Sequence, residues 1–133
     1  MKAAVLVDTG PLYAAVDVDD QFHTQAQDEL RRLEQDRLSA VVAYPTLLEA
    51  YSLVLRRLGL KVAHRWLEEV RLGASAVNPT QEDYQSAVGY IYSYPDQLLT
   101  MFDSVLAVLS KRLDCPIWTY DYHFDVMKAA VWR

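Results

Sequence analysis

In residues 5–11, three apolar residues without alternation, Val5-Leu6-Val7, run straight into Asp8, Thr9, Gly10 and Pro11. A strand with one wet face alternates apolar and polar residues. A continuous apolar run suits a strand buried on both faces, as in a parallel sheet covered by helices. The abrupt stop puts Asp8 at the carboxyl end of that strand. In open α/β sheets ligands bind along that edge.

The rest of the chain supplies the layers such a strand needs. Strands are expected at residues 3–7, 38–43, 74–77 and 116–119, with an edge segment at 129–132. Helical patterns lie between them. Phe22, Ala26, Leu30 and Leu33 form one stripe of a helix ending near residue 36. Pro45 and Thr46 open a second helix, with Leu47, Leu48, Tyr51, Val54, Leu55 and Leu58 on one face and Gly59 at its end. Residues 61–72, 78–92 and about 101–113 carry three more, the last with Phe102, Val105, Leu106, Leu109 and Leu113 on one side. Strands alternating with helices imply a three-layer α/β/α sandwich around a central parallel sheet, with right-handed crossovers. At 133 residues the chain is expected to form a single domain, 1–133, and a hydrophobic fraction of 52% is enough for a core without cross-links. Cys115 is alone, so no internal disulfide is possible and a reducing cytoplasm is the expected home. No signal peptide or membrane span is expected, because the N-terminal apolar run breaks at Asp8 and no other run approaches roughly 20 residues.

Four acids stand out, and each has an ordinary reading beside a functional one. Asp8 is either a ligand or a helix N-cap ahead of Thr-Gly-Pro. Glu49 either closes a capping box with Thr46, opposite the apolar stripe, or is a ligand placed by its first-turn position near the upper edge of the sheet. Asp103 interrupts an apolar helix face, where an unpaired carboxylate costs several kcal/mol, although Thr100 could cap the helix with Asp103 in its first turn. Asp121 follows Thr119 by two, so along an extended strand the hydroxyl would lie beside the carboxylate. If the first strand is central, Asp8 and Asp121 emerge side by side where the winding reverses. Four clustered carboxylates repel one another unless a cation joins them. Hard oxygen ligands select Mg²⁺ or Mn²⁺, which serve well as a clamp on a phosphodiester.

The order Val7-Asp8-Thr9, Leu48-Glu49-Ala50, Phe102-Asp103-Ser104 and Thr119-x-Asp121-x-x-Phe124 resembles the PIN-domain ribonucleases. Length and spacing are most similar to the VapC-type toxins of toxin–antitoxin pairs, and the similarity extends to the Arg56-Arg57-Leu58-Gly59 helix end. The resemblance implies a Mg²⁺- or Mn²⁺-dependent endoribonuclease in which a metal-activated water attacks phosphorus in line. Asp8, Glu49, Asp103 and Asp121 would be the acidic set and metal ligands, with Thr9 and Thr119 as supporting hydroxyls. It further implies an RNA substrate, a cognate antitoxin that blocks the site, and a homodimer. Two positions depart from the family pattern: Gly10 stands where a small polar residue is usual, and His123 where many members carry a further acid.

The formal net charge of -5 argues against a nucleic-acid binder by the usual logic, but metal ions reverse the sign locally in an acidic cleft. The most basic stretch holds Arg56, Arg57, Lys61, His64, Arg65 and Arg71. It either tracks an RNA backbone, through Arg56, Arg57, Lys61 and Arg65, or is the solvated face of two helices. Tyr90, Tyr92, Tyr94, Tyr120 and Tyr122 either stack bases or pack inward. The run Asp17-Val18-Asp19-Asp20 lacks the glycine and terminal Glu of a calcium loop and reads as a solvated turn. His23, His64, His123 and Cys115 read as structural. A module of the same fold that grips an arginine-rich partner without cutting is the alternative function. A phosphatase is disfavoured, since no phosphate-cradling glycine loop is present.

Overall fold

The computed structural model describes residues 3–133. Four strands, β1 (Ala4–Val7), β2 (Ser39–Ala43), β3 (Ser75–Val77) and β4 (Ile117–Trp118), form a parallel sheet in the order β3-β2-β1-β4. Helices α1 (Thr9–Ala14), α2 (His23–Gln35), α3 (Tyr44–Leu58), α4 (Leu60–Gly73), α5 (Gln81–Ser93), α6 (Met101–Leu113) and α7 (His123–Val126) connect and cover it. Residues 129–132 reach the sheet only as a bridge between Ile117 and Val131, too short for the expected edge strand.

The unbroken apolar run of β1 is explained by the layers. Leu6 packs with α5, α6 and α7 through Ala87, Leu106, Leu109, Phe124 and Met127. Val5 and Val7 point the other way, into Ala14, Ala26, Leu33 and Trp118. A third cluster joins Tyr13 to Ala50, Val54, Ala63 and Trp66 across α1, α3 and α4. Helix α6 is buried from Ser104 to Ser110, and its two serines satisfy themselves locally: Ser104 Oγ donates to the Thr100 carbonyl at 3.1 Å and Ser110 Oγ to the Cys115 carbonyl at 2.6 Å.

Asp83, also buried, closes a capping box with Thr80 and receives both Arg112 Nε and an Arg112 terminal nitrogen at 2.8 Å. This fork ties α5 to α6 and holds the Asp83 carboxyl below its ordinary pKa.

Gly59 separates α3 from α4 at φ 91°, ψ 171°, a region open essentially to glycine alone. A Cβ there would meet no neighbouring atom, so the obstacle to substitution is the backbone itself. Gly59→Ala is expected to lower stability by about 1–3 kcal/mol, read by urea unfolding. An unchanged midpoint would show that the turn relaxes without strain.

Candidate functional site

The topology brings the site together. The chain steps from β1 outward to β2 and β3, then returns to the far side of β1 as β4. The carboxyl ends of β1 and β4 therefore flank the point where the winding reverses. The Asp8 amide donates to the Trp118 carbonyl at 3.0 Å, locking the ends of the two strands together. One cavity of about 620 Å³ opens there, and Asp8, Glu49, Asp103 and Asp121 all line it.

Asp8 occupies the N-cap position of α1, but its side chain makes no cap hydrogen bond. The carboxylate instead accepts Thr119 Oγ1 at 2.8 Å. Only 9% exposed, Asp8 has its carboxyl pushed up to about 7, chiefly by burial. The Thr119 hydrogen bond opposes that rise, and the charges of Asp103 and Asp121 add to it.

Thr119 serves Asp8 rather than the Asp121 carboxylate beside which extended spacing would set it. The strand ends at Trp118, so alternation does not carry on to residue 121. Asp121 is placed by its own turn: its amide donates to Thr119 Oγ1 at 2.9 Å, and Asp121 Oδ1 accepts the His123 amide at 2.9 Å.

The capping box expected at Thr46 and Glu49 does not form. Helix α3 starts at Tyr44, with Pro45 in its first turn, where a missing N–H costs nothing, and Thr46 is buried. Glu49 thus sits in the second turn, half-buried, and accepts the Thr9 hydroxyl. Asp103 does lie in the first turn of α6, with its amide donating to Thr100 Oγ1 at 3.1 Å. The cap is made by the Asp103 amide, and the carboxylate, held in part by Thr100, lines the cavity. Burial, and then the charge of Asp121, raise its pKa.

The basic stretch divides. Arg56 and Arg57, at the end of α3, line the cavity. Lys61 and Arg65 are exposed on α4 beyond Gly59 and do not. Tyr120 and Tyr122 also line the cavity; Tyr120 stacks on Phe22 with centroids 4.5 Å apart, and Tyr122 is exposed. Tyr90 and Tyr94 pack against the main core, and Tyr92 lies in solvent. The acidic run is a turn: Asp17 accepts the Asp19 amide at 2.9 Å and the Tyr13 hydroxyl at 2.5 Å. A Cβ on Gly10 would stand 3.6 Å from the Tyr120 ring, an ordinary contact, so space does not demand glycine there.

Sequence reasoning set His123 aside, yet it reaches the acids. One ligand atom each from Asp103, Asp121 and His123 lie within 4.8 Å of one another. The only signal was that His123 takes the place of a usual acid. A donor set of carboxylates and one imidazole, with ring nitrogens that are buried and unpartnered, fits a divalent cation. No helix among the described residues is long and apolar enough to cross a membrane.

No curated protein sequence matches the chain significantly. VapC20 of Mycobacterium tuberculosis, described as a toxin cleaving the sarcin–ricin loop, superposes with a TM-score of 0.83 at 18% identity, over 97% of this chain and 98% of that one. VapBC2 of Rickettsia felis, solved bound to a DNA fragment from its promoter, gives 0.76 at 10% identity, covering 98% and 97%. A toxin–antitoxin complex from Klebsiella pneumoniae gives 0.60 at 14% identity, covering 89% and 87%. The fold is thus the three-layer α/β/α sandwich of these proteins. The family model for the PIN domain matches residues 5–130, and the chain belongs to the PIN domain family.

Proposed function

We propose that this protein is a metal-dependent endoribonuclease and the toxin of a toxin–antitoxin pair. Asp8, Glu49, Asp103 and Asp121 are its catalytic, metal-holding acids, with Thr9 and Thr119 as supporting hydroxyls. The observation that carries this reading is the convergence of four carboxylates, distant in sequence, on one cavity at the switch point of the sheet. Their mutual repulsion and the desolvation of Asp8 leave a pocket that favours a cation. When bound, Mg²⁺ or Mn²⁺ supplies positive charge to a scissile phosphate and eases ionisation of water.

The chain's own groups do the positioning. Thr119 holds the Asp8 carboxylate and Thr9 holds Glu49. Arg56 and Arg57, on the same cavity, meet the phosphates of an RNA strand, and Lys61 and Arg65, exposed on α4, meet its backbone outside the cavity. Protein neighbours described as toxins or toxin–antitoxin complexes support a cognate antitoxin as partner. A single domain acting as a cytoplasmic homodimer completes the reading.

The direct test is cleavage of single-stranded RNA by the purified chain. Activity with Mg²⁺ or Mn²⁺ is expected to fall at least about a hundredfold in EDTA. Cleavage undiminished by EDTA would overturn the metal requirement, and no cleavage under any divalent ion would overturn the nuclease.

A further inference from the structure

The His123 side chain is largely but not fully buried and does not itself line the cavity, yet its ring stands beside Asp121 and Asp103. Both ring nitrogens are shielded from solvent and unpaired among the described residues. Buried polar atoms are nearly always satisfied, and leaving one without a partner is costly. His23 shows what an ordinary packed histidine does in this fold: its Nδ1 lies 2.7 Å from the Ala14 carbonyl. His123 has no such carbonyl. Its Nδ1 stands 2.9 Å from Asp121 Oδ1, near enough for an ion pair but without hydrogen-bond alignment, and Nε2 has no hydrogen-bond partner among the described residues.

The separation has another meaning. Adjacent ligands of an octahedral ion with bonds of about 2.0–2.1 Å stand about 3 Å apart. Nδ1 and Oδ1 already keep that spacing, and Asp103 lies within the same 4.8 Å group. The ring is also held in place. The His123 amide is tied to Asp121 Oδ1 at 2.9 Å, and the ring rests against Tyr122 with centroids 4.3 Å apart. An imidazole fixed this way is preorganised for a cation shared with two carboxylates.

We infer that His123 joins Asp103 and Asp121 of the acidic set as a ligand of the divalent ion, and that the imidazole gives the centre a preference for Mn²⁺ over Mg²⁺. The inference rests on the metal-dependent reading above and deepens it. Mg²⁺ is a hard ion that keeps oxygen ligands and water, whereas imidazole nitrogen suits first-row transition ions. A neutral imidazole among the carboxylates therefore gives less charge but more selectivity.

The test is pulsed electron paramagnetic resonance of the full chain loaded with Mn²⁺, with Mg²⁺ competition run alongside. A directly bonded ¹⁴N coupling is expected in the parent and absent in His123→Asp. That variant is expected to keep Mn²⁺ binding while its Mn²⁺-over-Mg²⁺ affinity ratio falls about tenfold. Mn²⁺ bound in the parent without ¹⁴N coupling overturns the imidazole ligand, whatever the variant does. A coupling that survives in His123→Asp, or an unchanged affinity ratio, also overturns it. If Mn²⁺ does not bind the parent at all, the metal-dependent reading falls together with this one.

Discussion

Asp103→Asn is expected to cut RNA cleavage by about 10²–10³-fold with the fold intact. The substitution keeps volume and shape and removes only the charge. The helix cap at this position passes from the Asp103 amide to Thr100 Oγ1, so asparagine retains it. Burial and the neighbouring Asp121 charge make the free carboxylate costly, so the variant should melt at the same temperature as the parent or above it. Loss of cleavage with an unchanged circular dichroism spectrum would separate chemistry from structure. A variant that cuts as fast as the parent would remove Asp103 from the machinery.

The parts of this site that could be read in the sequence were those governed by short-range rules. Val5-Leu6-Val7 has to be buried on both sides, so Asp8 has to emerge at the ligand-binding edge. Asp103 and Asp121 follow from the same reasoning about helix and strand ends. The parts that could not be read depend on where elements stop. Helix α3 begins at Tyr44, which turns an apparent capping box into a cavity-facing Glu49 paired with Thr9. Strand β4 ends at Trp118, which sends the Thr119 hydroxyl to Asp8 across 111 residues of sequence. Gly59 turns the chain between two helices, so a basic stretch continuous in sequence leaves only Arg56 and Arg57 at the cavity. Composition hid His123, because an isolated histidine carries no spacing signal. Its role comes from acids 2 and 20 residues away.

Asp8→Asn is expected to make the metal-free protein more stable at pH 8, although it removes a proposed ligand. The Asp8 carboxyl is raised from 3.8 to about 7 in the fold, first by burial. A raised acid binds in the native state a proton that the unfolded chain releases. Stability therefore falls as pH climbs from about 4 to about 7, and the whole cost is present above that. Raising the carboxyl from 3.8 to about 7 corresponds to on the order of 4 kcal/mol. Asparagine carries no such cost and can still accept the Thr119 hydroxyl through its carbonyl oxygen. In EDTA at pH 8 the variant should melt on the order of 10 °C above the parent. The gap should close as pH drops through 7 toward 4, where the parent's carboxyl is neutral in the fold as well. Asp83 has the opposite sign, since its lowered carboxyl stabilises above the ordinary carboxylate range and loses that effect in acid. It is common to both chains and cancels in the comparison. Adding Mn²⁺ at pH 8 should raise the melting temperature of the parent more than that of the variant, because only the parent has the full set of charges for the ion to neutralise. A variant no more stable than the parent at pH 8 would mean that the Asp8 charge is already compensated without a cation, and the case for a pocket built to hold one would fail with it.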